Sequence, residues 1–238
     1  MHEERFYRHW VKSQDLVNFE VVVEETDLYI SAKCDLADKT KELVLKYRKD
    51  IKDYIKKNPL FATSLVPVDI KEPAPAIVKE MIQAAGFSGV GPMAAIAGAI
   101  AEFVGMELLK LTGELIIENG GDIFIKSLSP RKIGIYAGKS GLTGGISIDI
   151  IPENMPMGVC TSSGSVGHSL SFGKADAAII LSKSAALADA AATAVCNKVK
   201  IVSDIKPAIE FAKSISGVEG VVIILGDKIG VWGDVKLV

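Results

Sequence analysis

The sequence predicts an α+β fold, in which a largely antiparallel sheet is covered by helices rich in small residues. Apolar runs joined by short, glycine-containing turns recur along the chain and indicate β-hairpins. The helical segments are rich in alanine and glycine, and hairpins are grouped with helices without regular βαβ alternation. We expect the 238 residues to form one domain, 1–238. Within it, residues 1–72 supply N-terminal strands and an amphipathic helix, and residues 73–238 form the core that carries the sequence motifs.

The N-terminal part combines a hairpin with a long helix. The stretch FEVVVEETDLYISA has the β-branched and aromatic residues of two strands, with a turn near Thr26 and Asp27. The following stretch places apolar side chains on one helical face and lysines on the outer face. Asp35 is a suitable N-cap for this helix, and Pro59 follows its last turn.

The central part contains two helices and the strongest hairpin signal in the chain. A proline-rich linker leads into a helix of about ten residues that ends at Gly86, which suits the C′ position. Pro92 opens a second helix, which runs to about Leu111. The stretch ELIIENGGDIFIKS has Asn119 and Gly120 between apolar runs, so we predict a hairpin turn at these two residues.

The C-terminal part adds strands, two helices and a last hairpin. KIGIYAG and ISIDII predict two strands, and a flexible segment from Pro152 to Ala175 follows them. DAAIILS predicts a strand, and the alanine-rich stretch SAALADAAATAVCN predicts a helix with Ser184 at its N-cap. IKPAIEFAKSI predicts another helix, and GVVIILGDKIGVW predicts a hairpin that turns at Gly226 and Asp227.

The composition excludes several classes of partner. The 27 Lys and Arg residues are balanced by 29 Asp and Glu residues, so no basic surface for nucleic acid is expected. The mean hydropathy is +0.31, but the apolar runs are short and broken by glycine, which argues against a membrane partner. The charged, aromatic N-terminus is unlike a signal peptide, so we expect a cytoplasmic protein. The three cysteines have no zinc-site spacing and form no disulfide framework.

The stretch GVGPMA fits the bare dinucleotide-binding pattern G-x-G-x-x-A. The residues before it predict a helix, whereas the dinucleotide fold requires a strand there, so this interpretation is disfavoured. Two alternatives stay open for the segment. It is a turn between helices, with Gly98 allowing close packing, or it presents a helix N-terminus to a phosphate.

Two further segments could border a ligand. In ENGGDIF, Asp122 either bonds to its own turn or lies beside bare glycine backbone that a ligand can approach. GVCTSSGSVGHS concentrates hydroxyls, glycines and His168, but it lacks the surroundings of a serine hydrolase nucleophile. We expect either a loop that holds the phosphates of a small phosphorylated ligand or a plain mobile loop. Cys160, which borders this segment, is a candidate exposed nucleophilic thiol.

The alanine-rich helix carries a polar stripe. Asp189 lies beyond the first turn after Ser184, so capping does not explain it, and Thr193 and Cys196 follow at i+4 and i+7. A helix of alanines packs closely, and a buried carboxylate needs a partner. Oxygens from Asp189 and Thr193 suit Mg²⁺, which takes few protein ligands and completes its shell with phosphate and water. The alternative is an aspartate that faces solvent.

Three of these segments together resemble one known family. ADAAATAV resembles the A-D-x-x-A-T-A motif of the ApbE-like family of Mg²⁺-dependent FAD:protein FMN transferases. ENGGDIFI is similar to the family's N-x-G-G-D-I segment, and CTSSGS is similar to its T-S-G loop, in the same order. With YRHWV, EETDL and GVGPMAAIAGAIAEF added, the chain most resembles the family's cytoplasmic subfamily of anaerobic archaea and bacteria. The resemblance implies an ApbE-like fold.

The resemblance also implies roles for individual residues. It makes Asp189 a catalytic residue and, with Thr193, a ligand of Mg²⁺. It implies FAD or a related nucleotide as the bound ligand and a threonine of a protein acceptor as the group that attacks the FMN phosphorus. The residues that would border the nucleotide are Asn119, Gly120, Gly121, Asp122, Thr161, Ser162, Ser163, Gly164 and His168.

The sequence departs from the family at two places. The family's lysine-bearing D-x-G-G-x-A-K-G segment corresponds to GVGPMAAIAGAIA, which has no acid and no lysine. The stretch after the T-S-G loop keeps His168 and loses the family's Asp-Pro. These departures leave a protein that binds the nucleotide without catalysis as an alternative.

A second alternative comes from the same subfamily resemblance, which is associated with sulfide assimilation towards homocysteine. Cys34 and Cys160 would then act as catalytic persulfide carriers, in a sulfur transferase, and ordinary buried thiols are the other interpretation. Small-residue helices and exposed strand edges lead us to expect a homodimer.

Overall fold

The computed structural model describes Arg8, residues 15–165 and residues 171–238. The strands in chain order are β1 (Val17–Val23), β2 (Thr26–Ala32), β3 (Leu115–Asn119), β4 (Asp122–Lys126), β5 (Arg131–Gly134), β6 (Ser147–Ile150), β7 (Met157–Ser162), β8 (Ala177–Ser182), β9 (Val218–Leu225), β10 (Lys228–Gly233) and β11 (Lys236–Leu237). The helices are α1 (Ala37–Lys57), α2 (Leu60–Thr63), α3 (Ala76–Ser88), α4 (Ile96–Leu108), α5 (Ala185–Lys198) and α6 (Ile205–Ser214). Short 3₁₀ turns span Pro92–Ala95, Pro152–Asn154 and Val202–Asp204.

The strands form two antiparallel sheets. The large sheet has eight strands in the order β1-β2-β3-β4-β7-β8-β9-β10, and the small sheet has the order β11-β6-β5. Every strand pair that the structure describes is antiparallel. The predicted α+β fold with largely antiparallel sheets is therefore confirmed. Because β2 pairs with β3, the N-terminal hairpin belongs to the same sheet as the motif-bearing core.

The large sheet is covered on both faces. Side chains alternate along β3, so that Ile117 packs into the core beneath the helices and Ile116 into the core beneath the small sheet. The same alternation places Phe124 of β4 on the helix side and Ile125 on the opposite side. Strands β3, β4, β7 and β8 are therefore buried on both faces, which explains why their sequences are almost continuously apolar.

Helix α5 lies at the centre of the helical layer. Close packing against its neighbours explains why it is rich in alanine. A Cβ atom added to Gly158 of β7 would lie 2.3 Å from Ala185 Cα, and one added to Gly98 of α4 would lie 2.2 Å from the Ala185 carbonyl oxygen. Both neighbours thus approach the backbone of α5 within a distance that only glycine permits. The close packing predicted for the alanine-rich helix and for Gly98 is present.

Several predicted boundaries are shifted. Helix α3 continues through Gly86 to Ser88, and Gly89, with φ +72°, is its left-handed cap. Helix α4 ends at Leu108 rather than Leu111. The two predicted turn residues Thr26 and Asp27 already belong to β2, since the turn of this hairpin is two residues earlier.

Strand β7 is absent from the prediction, which treated Pro152–Ala175 as flexible. This strand lies in the middle of the large sheet, between β4 and β8. Its sequence MGVCTS contains a glycine, a cysteine and small polar residues, which weaken the strand signal. Gly158 is nevertheless required there, because α5 passes directly over it.

Among the described residues, no single helix is long and apolar enough to span a membrane. Two consecutive helical segments, Ala76–Ser88 and Pro92–Leu108, are together long and apolar enough for a span, but the chain bends by 106° between them.

Candidate functional site

Asp189 lies against the N-terminus of α4. Ser184 is the N-cap of α5, as predicted, and its hydroxyl accepts a hydrogen bond from the Leu187 amide at 3.2 Å. One turn further, the Oδ2 atom of Asp189 accepts a hydrogen bond of 2.9 Å from the Gly98 amide, in the first turn of α4. Burial raises the pKa of Asp189 to about 7, although hydrogen bonds from the backbone of Gly98 and Ala97 favour its ionised form. Asp189 is therefore held by another helix rather than projecting freely into solvent.

Asp122 lies at the start of β4 and points towards β7. Its Oδ1 atom accepts a hydrogen bond of 3.3 Å from the Thr161 amide, so its partner is on another strand rather than in its own turn. Asp122 is almost fully buried. Burial raises the pKa of Asp122 well above its ordinary value, and the neighbouring charge of Asp189 raises it further.

The carboxyl groups of Asp122 and Asp189 form a pair that lacks a positive partner. Among the residues that the structure describes, neither carboxyl group takes part in a salt bridge, and no basic side chain is among the largest causes that shift their pKa values. Two buried carboxylates repel each other unless they share a proton or a cation. Within the same residues, no three His, Cys, Asp or Glu side chains gather as a metal cluster. The pair fits a cation that takes few protein ligands, such as Mg²⁺, better than one that needs a complete protein cage.

The hairpin turn between β3 and β4 fixes the position of Asp122. Gly120 and Gly121 form the turn, one residue later than predicted, with φ values of +68° and +103°. Asn119, at the end of β3, donates a hydrogen bond of 3.0 Å from Nδ2 to the Ala97 carbonyl. The predicted nucleotide-bordering residues Asn119, Gly120, Gly121 and Asp122 therefore lie at the N-terminus of α4, beside the residues that contact Asp189.

The T-S-S-G segment leaves β7 next to Asp122. Thr161 and Ser162 are the last residues of β7, and the buried Ser162 hydroxyl faces Cys196. Ser163 and Gly164 follow, and the Gly164 amide donates to the Ala175 carbonyl at 2.9 Å. The first part of this segment is thus an ordered strand end. His168 lies outside the described residues.

Thr193 lies one helical turn after Asp189 on α5. Four residues correspond to about 6 Å along a helix, so Thr193 lies on the same face of α5 as Asp189. Thr193 is partly buried, and Cys196, one turn further, is fully buried. The Cys196 sulfur accepts a hydrogen bond of 3.1 Å from the Ser171 hydroxyl. The polar stripe predicted on this helix therefore borders the segment that follows the T-S-S-G loop.

The two candidate sulfur carriers do not form a common site. Cys160 is completely buried in β7 and its thiol donates to the Ala185 carbonyl at 3.3 Å, so the prediction of an exposed thiol is wrong. Burial raises the pKa of Cys160 well above its ordinary value, and the charge of Asp122 adds to this effect. Cys34 is exposed, but it follows β2 at the end that pairs with Leu115, whereas the site is at the opposite end of β3. Roughly 14 Å of strand separates these two ends.

The segment GVGPMA leads into the helix whose first residues contact Asn119 and Asp189. It connects α3 to α4, so the interpretation as a turn between helices is confirmed and the dinucleotide fold is excluded by the helix before it. The Gly98 amide of the following helix is occupied by Asp189 and is not free for a phosphate. The pattern of glycines and alanines was the only available signal that this helix end approaches α5.

Comparisons with known proteins agree with this fold. Several solved structures share the fold. The apo flavinyl transferase ApbE of Pseudomonas stutzeri has a TM-score of 0.59 at 13% identity, covering 91% of this chain and 94% of that chain. The flavin transferase ApbE of Vibrio cholerae has a TM-score of 0.56 at 14% identity, covering 91% of this chain and 96% of that chain. The fold and the ordered motifs thus define an ApbE-like protein.

Sequence comparison gives the family. A family model described as "AbpE bacteria" matches residues 8–231. The UPF0280 protein of Methanocaldococcus jannaschii is 41% identical over 222 residues, covering 90% of each chain. The UPF0280 protein of Methanococcus aeolicus is 38% identical over 226 residues, covering 92% of this chain and 91% of the relative. The chain belongs to this ApbE-like family, so the resemblance predicted from the three motifs is confirmed.

Proposed function

We propose that this protein binds a flavin nucleotide, or a related phosphorylated ligand, together with Mg²⁺. The ion would be held by the carboxylates of Asp122 and Asp189 and by the hydroxyl of Thr193. The observation that carries this proposal is the carboxyl pair, in which Asp122 is buried and Asp189 is partly buried, and neither group takes part in a salt bridge with a described residue. A divalent cation supplies the missing positive charge and favours the ionised form of both groups.

The surroundings of the pair support a ligand that carries phosphates. Mg²⁺ in proteins is commonly bound by one or two carboxylates and completes its shell with substrate phosphates and water. The Thr161 amide contacts Asp122, and the buried hydroxyl of Ser162 lies one residue further along β7. Gly120 and Gly121 expose backbone without side chains beside the same carboxyl group. The choice of a flavin among phosphorylated ligands rests on family membership and on the titles of the structural neighbours.

The reaction that the family suggests is transfer of FMN from FAD to a protein threonine. The threonine oxygen would bond to the FMN phosphorus and give up its proton to water, while the pyrophosphate bond breaks and AMP leaves. Mg²⁺ held by Asp122, Asp189 and Thr193 would stabilise the negative charge that develops on the pyrophosphate. In this chain, the Gly98 amide holds Asp189 and the Thr161 amide holds Asp122, so both carboxylates are oriented before the ligand arrives.

Binding without transfer is the second candidate. It is supported by the segment GVGPMAAIAGAIA, which lies at the site but has no acid and no lysine where the family's motif has both. Here the segment contributes the Ala97 carbonyl to Asn119 and the Gly98 amide to Asp189. A protein with this arrangement keeps the carboxyl pair but lacks the lysine that the family's motif would place beside the phosphates.

Titration calorimetry with FAD, FMN and adenine nucleotides, each with and without Mg²⁺, tests the proposal. We expect the wild type to bind one of these ligands in a Mg²⁺-dependent manner and Asp189→Asn to lose that dependence. Asp53→Asn, which removes an exposed acid of α1, is the matched control and should bind like the wild type. Equal binding by all three proteins, or binding that ignores Mg²⁺, would remove the proposed site. Mass spectrometry of a threonine-containing acceptor peptide then separates transfer from binding alone.

A further inference from the structure

Arg8 is a buried arginine that belongs to none of the three motifs, and it engages several carboxylates. Its guanidinium donates to Glu118 Oε2 at 2.8 Å, to Asp27 Oδ1 at 2.8 Å and to the Asp27 carbonyl at 3.0 Å. It also pairs with Glu20 and lies 5.7 Å from the ring centre of Tyr29. Only 8% of Arg8 is exposed, so this charge is stabilised by its partners rather than by water.

Glu118 connects Arg8 to the turn that precedes Asp122. One carboxylate oxygen of Glu118 binds Arg8, and the other, Oε1, accepts a hydrogen bond of 2.7 Å from the Gly121 amide. Gly120 and Gly121 are both left-handed, and glycine has no side chain to restrict its backbone. The Glu118 carboxylate therefore restrains a turn that would otherwise be free to adopt other conformations. Asp122 is the next residue after this turn.

We propose that Arg8 is a positioning residue for the divalent-cation site. Arg8 holds Glu118, and Glu118 holds the conformation of the Gly120–Gly121 turn. The turn then orients the Asp122 carboxyl group towards Asp189. This inference rests on the proposed function, because it assumes that the carboxyl pair binds Mg²⁺. Groups that orient metal ligands without touching the metal commonly change its affinity by about 10- to 100-fold when they are removed.

The chain contains a matched control at the other end of the same strand. Arg131 is 5% exposed and binds Glu114, the residue just before β3, at 3.2 Å, and it also binds both oxygens of Asp15. Glu114 is four residues before Glu118, or roughly 14 Å along the strand. Removing either arginine leaves a buried glutamate without its arginine partner, but only Arg8 is linked to the turn before Asp122.

The experiment measures Mg²⁺ affinity by calorimetry at pH 8 for the wild type, Arg8→Met, Arg131→Met and Arg8→Lys. Both methionine variants should lower the melting temperature. Arg8→Met should weaken Mg²⁺ binding by about 10- to 100-fold, Arg131→Met should stay within about threefold of the wild type, and Arg8→Lys should be intermediate, since lysine keeps the charge but not the fork of donors.

Each outcome bears on a specific claim. Equal losses of Mg²⁺ affinity in Arg8→Met and Arg131→Met, or no loss in Arg8→Met, would overturn the positioning role and leave the proposed function in place. A wild type that binds no Mg²⁺ would overturn both. If Arg8→Met does not fold, hydrogen exchange of the Gly121 amide in the wild type and in Arg8→Lys decides the point. We expect faster exchange in the lysine variant, and equal rates would overturn the inference.

Discussion

Asp189→Asn should stabilise the ligand-free protein at alkaline pH while it removes the cation site. Asparagine keeps a side-chain oxygen that can accept the hydrogen bond from the Gly98 amide, and it removes the charge. A residue whose only role is structural would be expected to lose stability on substitution. A charge kept for function in a buried position costs stability until its ligand binds.

The size of the effect follows from the pKa of Asp189, which burial raises from 3.8 to about 7 in the folded protein. Between pH 4 and pH 7 the folded state therefore keeps a proton that the unfolded state has lost. Stability falls as pH rises through this window and is constant above it. One pKa unit corresponds to about 1.4 kcal/mol, so the largest possible contribution is about 4 kcal/mol. Because Asp122 shares the same proton equilibrium, the pH dependence belongs to the pair.

Urea unfolding in the presence of EDTA measures this contribution. We expect Asp189→Asn to exceed the wild type by roughly 2–4 kcal/mol at pH 8 and to match it near pH 4. Asp53→Asn is the control, because Lys49 and Lys56 lower the pKa of Asp53 to about 2 and no gain is expected at pH 8. A loss of stability in Asp189→Asn at pH 8, or the same change at both pH values, would refute the reasoning.

Three further predictions concern packing, capping and thiol access. Gly98→Ala should destabilise by about 2 kcal/mol or more, because the new Cβ would lie 2.2 Å from the Ala185 carbonyl oxygen. Gly86→Ala, in open space within α3, should instead stabilise by about 0.5–1 kcal/mol; thermal unfolding that gave both variants the same sign would contradict this. Ser184→Ala should cost about 1 kcal/mol in urea unfolding through loss of the α5 N-cap, and an unchanged midpoint would count against it. In a thiol-reagent assay Cys34 should react in the folded protein and Cys160 only after unfolding, so rapid labelling of Cys160 would show that β7 opens.

Local chemistry made a large part of the fold predictable. The last hairpin turns at Gly226 and Asp227 and helix α5 begins after Ser184, in both cases as predicted. These features depend on residues adjacent in sequence, such as a turn glycine or a capping hydroxyl. Strand β7 was not predictable in this way, because Gly158 is selected by the approach of α5 rather than by strand propensity.

The site illustrates the same limit over longer distances. The sequence identified Asp189 as a carboxylate that needs a partner, but the Gly98 amide that binds it is 91 positions away. The motif containing Asp122 was recognised by resemblance, whereas its contact with Thr161 follows from the pairing of β4 with β7, a strand that the sequence did not predict. The bridge from Arg8 through Glu118 spans 110 positions and carries no local signal.

Crystals grown with Mn²⁺ as a substitute for Mg²⁺ test the central claim most directly, since anomalous diffraction locates the ion independently of any ligand. The account predicts one strong anomalous peak at the N-terminus of α4, with the carboxylate oxygens of Asp122 and Asp189 about 2.0–2.3 Å from the ion. It also predicts that Asp189→Asn removes this peak. A peak elsewhere in the protein, or no peak at millimolar Mn²⁺, would contradict the assignment of this carboxyl pair as a metal site.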